Sequence, residues 1–203
     1  MGCIVMIIIL LVLLVLSSLF PVSHIGHAAL RVMTRNEETQ LIDAIQGYYA
    51  EYKKYPIPPS KQGGGVVEFG ADNYLLLDIL RNRDGAKTGN PLNPHGIIFL
   101  DVRYALERDS PKGGVQTSTG IWFDAWGSPY HIAIDTSGKK ELNGKTPIPD
   151  FYSDVGPIQT DVIVWSYGKN GLPGGGPAAD SRFSSEAGAP GKLNGSDDVV
   201  SWQ

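Results

Sequence analysis

The chain has 203 residues, 42% of them hydrophobic and 19% charged, with 25 glycines and 14 prolines, which is enough for one compact domain with many turns and not comfortably for two. A net charge of −4, with no cluster of Lys or Arg along a helix face or strand, argues against nucleic acid as a partner. The single cysteine, Cys3, excludes an internal disulfide, so packing or a metal must hold the domain.

The first stretch, residues 4–55, reads as one long helix with two solvents along its length. Residues 4–20 (IVMIIILLVLLVLSSLF) carry no charge and nothing more polar than Ser17 and Ser18. Such a run spans about 25 Å as a helix, the short end of a bilayer core, and is expected to be a membrane segment. Pro21 removes a backbone donor and crowds the preceding turn, which predicts a kink. Beyond it Leu41, Ile45, Tyr48 and Tyr52 recur at spacings of four, three and four, while Arg35, Asn36, Glu37, Glu38, Gln40 and Asp43 fill the positions between. One face is expected to pack and the other to meet water. Lys53 and Lys54 suit the negative end of a helix dipole and Pro56 stops the helix, so the rod should end at Tyr55. This divides the chain into an N-terminal transmembrane and amphipathic helix, residues 1–55, and a globular domain, residues 56–203. Arg31 and Arg35 follow the apolar run and no cation precedes it, which by the positive-inside rule would put the C-terminal side in the cytoplasm. Small residues at Gly26 and Ala28 also permit a signal-peptide reading, although the start lacks the usual positive charge.

Residues 56–72 read as a loop. A short helix is predicted over residues 73–82, with Leu75, Leu76, Ile79 and Leu80 on one side and Asp72 capping its start. Residues 83–95 are turn chemistry, and residues 96–102 (GIIFLDV) suit a buried strand or a helical turn equally. After a polar, glycine-rich stretch at 107–120 comes a hairpin-like unit. Ile121, Trp122 and Phe123 lead into a tight turn at residues 126–129 (WGSP), and a strand follows at residues 130–135. Residues 136–160 read as another loop. Residues 161–167 (DVIVWSY) make the best strand because they are β-branched and aromatic. From Gly168 onward almost nothing is available to build a core until Val199, Val200 and Trp202, so this segment is either disordered or tied down by something other than packing.

Candidate chemistry is sparse. His24 and His27 lie three apart without a carboxylate or cysteine nearby, His131 sits in a predicted strand, and His95 lies among turns. No nucleophile elbow, zincin helix, phosphate loop or dinucleotide fingerprint occurs, so an enzyme is not expected. Asp197 and Asp198, beside Ser196, close the glycine-rich segment that begins at Lys169, Asn170 and Gly171. They offer the hard oxygens that Ca²⁺ prefers, although on composition alone two solvated charges near a C-terminus is the favoured reading.

Taken in order, the apolar N-terminal helix is followed by Tyr-Lys-Lys-Tyr-Pro at 52–56, Asp-Ala-Trp-Gly-Ser-Pro-Tyr at 124–130, Trp-Ser-Tyr-Gly-Lys-Asn-Gly at 165–171 and Asp-Asp-Val-Val-Ser-Trp at 197–202. Together these resemble the G-type (major) pseudopilins of bacterial type II secretion systems, within the type IV pilin-like superfamily, over nearly the whole chain. The resemblance implies an α+β fold, in which the long N-terminal helix packs on a small antiparallel β-sheet and a long C-terminal loop follows. It implies a single-pass anchor in the bacterial inner membrane with the C-terminal domain in the periplasm, against the positive-inside count. It also implies a homo-oligomeric filament built through stacked N-terminal helices, in contact with other secretion-system pseudopilins and the inner-membrane platform, that supports protein export across the outer membrane.

A Ca²⁺ ion is implied in the C-terminal loop. Asp197 and Asp198 would carry the charge there, with Asn170 and the Leu172 carbonyl as neutral oxygens. Asn170 stands where family members often have Asp, and Asp180 is a further candidate ligand whose register is open. The departures lie at the N-terminus, where the family carries a Glu at the fifth mature position: Ile4 or Ile7 stands there, depending on the frame. A rival reading of another class is therefore a monomeric, membrane-tethered periplasmic binding domain that does not polymerise.

Overall fold

Residues 22–52 contain no proline and form one helix, α1 (Val22–Tyr52), in the structure, a computed structural model that describes residues 6, 22–83, 91–106, 109–138, 152, 154–156, 158–174, 192–194 and 196–202. The expected anchor at residues 4–20 lies outside these except for Met6, and so does the expected kink at Pro21. Among the described residues no helix is long and apolar enough to cross a membrane. α1 stops at Tyr52 and not at Tyr55. Lys53 takes a left-handed φ of 54° while its N–H bonds the Tyr49 carbonyl at 2.8 Å, so a left-handed residue ends the helix before Pro56 is reached.

The predicted packing face is the observed one for Leu41, Ile45 and Tyr48, which are buried, and Tyr52 is half-buried against the same cluster. The predicted water face is corrected in two places: Glu37 and Glu38 are buried, as is Thr34. Positions 34, 37, 38, 41, 45 and 48 share one stripe at helical spacing, so the buried face simply continues through polar residues.

The stripe lies on a four-stranded antiparallel sheet of order β1 (Val66–Phe69), β4 (His131–Asp135), β5 (Val162–Ser166) and β6 (Val199–Val200). Its register sets Ile132 opposite Val164 and Ile134 opposite Val162, and these four pack beneath Leu41, Ile45 and Tyr48. Alternate residues point the other way, and there Ala133, Ile163, Trp165 and Val200 are covered by Tyr152 and Leu193. Both faces of β5 are therefore closed. Leu193 is the little that the C-terminal segment, among its described residues, buries before Val199.

β1 falls inside the expected loop 56–72; its signal was Val66, Val67 and Phe69 bracketed by Gly65 and Gly70. A second small sheet pairs β2 (Gly114–Val115) with β3 (Trp122–Phe123). The expected hairpin is therefore a handover between sheets: β3 and β4 are joined by the tight turn but only Phe123 bridges to Pro129. The short helix is α2 (Tyr74–Leu80), which buries Leu76, Leu77, Ile79 and Leu80 and leaves Leu75 half-buried. Asp72 does not cap it: its carboxylate bonds the Gly70 N–H and the Lys61 ammonium. Residues 96–102 are neither strand nor helical turn. They pass the end of α2 without regular structure, with the Phe99 and Leu100 N–H groups both on the Leu80 carbonyl, and Ile98 is 66% exposed.

Candidate cation site in the C-terminal loop

β5 delivers its last residues into a turn that needs glycine. Gly168, at a φ of 62°, opens a 3-10 turn (Gly168–Asn170), and Gly171, at a φ of 65°, closes it. The turn meets the chain returning at Asp197. The Asn170 N–H donates to Asp197 Oδ2 at 2.9 Å, and the Leu172 N–H donates to Asn170 Oδ1 at 2.7 Å. Asp198 Oδ2 accepts the Gly174 N–H at 2.7 Å and the Tyr152 hydroxyl. The structure thus brings Asn170, Leu172, Asp197 and Asp198 into one chain of contacts, while Asp180 lies outside the described residues. Tyr152 and Gly174 were not legible in the sequence, because neither is near the aspartates along the chain and neither belongs to a charged cluster.

Asp198 is not a solvated charge. It is 3% exposed, and its Oδ1 is buried with no hydrogen-bond partner among the described residues. Burial, with the neighbouring Asp197 charge, pushes its carboxyl up to about 6 against the hydrogen bonds that favour ionisation. From α1 the Arg31 guanidinium donates to the Asp198 carbonyl at 3.2 Å, and that of Arg35 donates to the Val200 carbonyl at 3.3 Å.

A buried acceptor with no donor costs roughly 1–3 kcal/mol, and a hard cation would remove that cost. The donors available are two carboxylates, one side-chain amide and backbone carbonyls, an all-oxygen set that fits Ca²⁺. Among the described residues no group of three or more His, Cys, Asp or Glu side chains could hold a metal ion, so amide and backbone oxygens would have to complete the shell.

His131 and His95 do not join this site. His131 stacks on Trp165 with ring centres 5.3 Å apart, and burial pulls it down to about 4, so it is neutral at pH 7. His95 Nδ1 lies 2.6 Å from Glu51 Oε1 at the surface.

A second polar cluster lies under α1. Asp124 is fully buried, and its Oδ1 accepts the N–H groups of Trp126, Gly127 and Ser128 at 2.8, 2.7 and 2.8 Å. Its Oδ2 accepts the Ser166 hydroxyl. Burial raises its carboxyl, with these bonds opposing. Glu37 Oε2 accepts the Tyr130 hydroxyl at 2.6 Å. Glu38 has both carboxyl oxygens buried without a partner among the described residues, and burial pushes it up to about 9, so it is a neutral acid at pH 7.

Compared with protein-family models, with curated proteins and with solved structures, the chain matches none.

Proposed function

We propose that this chain is a structural subunit of a pilin-like filament, a G-type pseudopilin of a type II secretion pseudopilus. It would be anchored once in the bacterial inner membrane, with residues 56–203 in the periplasm, and would support protein export across the outer membrane. The observation that carries the reading is the reach of α1. Its C-terminal half is consumed by the sheet, while Ala28, Ala29 and Val32, the last 61% exposed, continue the same helix toward the apolar run at 4–20. An apolar helix surface left uncovered by its own domain suits neighbouring helices and lipid. Copies of α1 would be its partners, with other secretion-system pseudopilins and the inner-membrane platform beyond them. Bound Ca²⁺, held by Asp197 and Asp198 with Asn170 and the Leu172 carbonyl, would tie the C-terminal loop to the end of β5. Its contribution is electrostatic and structural, and no catalysis is proposed.

The rival, a tethered monomeric binding domain, draws support from Ile4 or Ile7 standing where the family's Glu is expected. Cross-linking separates the two. In a Cys3→Ser background, Val32→Cys is oxidised in intact cells: with one thiol per chain a disulfide-linked dimer is expected, and monomer alone favours the rival. Carbonate extraction of the same membranes should leave the chain in the pellet at full mass, and a soluble product beginning near Leu30 would overturn the anchor.

A further inference from the structure

The Asp-Ala-Trp-Gly-Ser-Pro-Tyr turn and the cation loop are far apart in sequence and joined in space. We propose that Asp124 and Ser166 are positioning residues for that loop, setting the Gly168 turn against which Asp197 is held. The inference rests on the calcium reading above.

Three backbone N–H groups occupy Asp124 Oδ1 and fold the turn around the carboxylate, which leaves Oδ2 for one partner outside the turn. That partner is the hydroxyl of Ser166, the last residue of β5, and both side chains are fully buried. A hydroxyl has one proton, so once it donates to Asp124 its oxygen can only accept. It accepts the Gly168 N–H at 3.0 Å. The direction of this relay is therefore fixed by the charge at its buried end, and a hydrogen bond to a carboxylate is stronger than one between neutral groups.

Gly168 passes that order on. Its backbone is so close to Asp197 that a Cβ would collide with the Asp197 carbonyl and lie 3.1 Å from Asp197 Oδ2. Two residues later the Asn170 N–H takes Asp197 Oδ2 at 2.9 Å. The closing Gly171 backs onto Ser128, whose Oγ would lie 3.3 Å from a Cβ placed there, so the turn after β3 meets the cation loop at Gly171 and reaches Gly168 through Ser166. Burying a carboxylate only to fill a core is a poor use of the position, because an apolar residue of similar volume is often as stable there. Fixing a left-handed turn beside two further carboxylates is a task that an apolar residue cannot do.

The test uses the full chain in detergent with Ca²⁺ alone as the probe. Affinity is read by titration calorimetry, and amide hydrogen exchange is followed at Asn170 and Leu172. Loss of one hydrogen bond that orients the site should weaken Ca²⁺ binding by about tenfold in Ser166→Ala. Ser166→Thr, which keeps the hydroxyl, should bind like the wild type. Asp124→Asn preserves volume and removes the charge, and it decides the matter should Ser166→Ala fail to fold: it too should bind about tenfold more weakly. Equal affinity in wild type and both variants overturns the proposal while leaving the calcium reading intact. If the wild type itself does not bind Ca²⁺, the calcium reading fails first. Exchange then decides the positioning role: faster exchange at Asn170 and Leu172 in the variants supports it, and unchanged exchange overturns it.

Discussion

Glu38 is an acid that the fold holds uncharged. Its folded value near 9 stands well above the ordinary 4.5, with burial as the main cause and Arg35 only partly opposing it. Between those two values the folded chain keeps a proton that the unfolded chain has released, so stability falls as pH rises through the window. The slope from this one group approaches about 1.4 kcal/mol per pH unit at most. Glu38→Gln should remove it. Urea midpoints at pH 5 and pH 8 should therefore fall more steeply for the wild type than for Glu38→Gln. Glu37, Asp124 and Asp198 are also raised but remain in both proteins, so their effect cancels in the comparison. Parallel pH dependence would show that Glu38 ionises without cost. None of this was legible in the sequence. Glu37 and Glu38 interrupt an apolar period and so read as solvent-facing, and Asp124 meets Ser166 only across 42 positions of chain. A buried polar pair leaves no local period to read.

α1 shows which part of an element a period can disclose. Leu41, Ile45 and Tyr48 advertise their face because uncharged side chains recur once per turn, and the sheet takes that face. Ile45 is fully buried between α1 and the sheet. Truncating it to Ala removes three carbons from a closed core, at a cost of about 2–4 kcal/mol by the usual behaviour of such sites. Asp43→Ala, on the exposed side, should stay within about 0.5 kcal/mol. Chemical denaturation of both variants checks the pair, and similar small changes would mean that the stripe is not the load on the sheet. The short elements were harder to read for a physical reason. Residues 96–102 are as apolar as a strand, yet their N–H groups at Phe99 and Leu100 go to the end of α2 and not to a neighbouring strand, a partner that no period predicts. β1 was hidden because four residues between glycines resemble a loop until β4 lies beside them.

The chain closes on itself through α1 and its last strand. Arg31 and Arg35 are one helical turn apart, about 6 Å along the axis. The carbonyls they reach, those of Asp198 and Val200, are two residues apart in an extended strand, about 6.6 Å. The two rungs therefore match, although their partners are 167 and 165 positions apart in sequence. β6 has only two residues and one neighbouring strand, so these arginines account for much of what holds its outer side. In the proposed filament, a displacement of α1 among its neighbours would travel along the same rungs to Asp198. Arg31→Met with Arg35→Met keeps the aliphatic stems and removes the donors. In that double variant the amides of Val200 and Ser201, the latter bonded to the Val164 carbonyl at 3.0 Å, should exchange faster, while those of β4 remain slow. Global stability should fall by only about 1–2 kcal/mol, because both guanidinium groups are largely exposed and solvent screens them. Exchange at Val200 and Ser201 unchanged from the wild type would mean that the arginines are solvated charges, and that α1 reaches the C-terminal loop through the sheet alone.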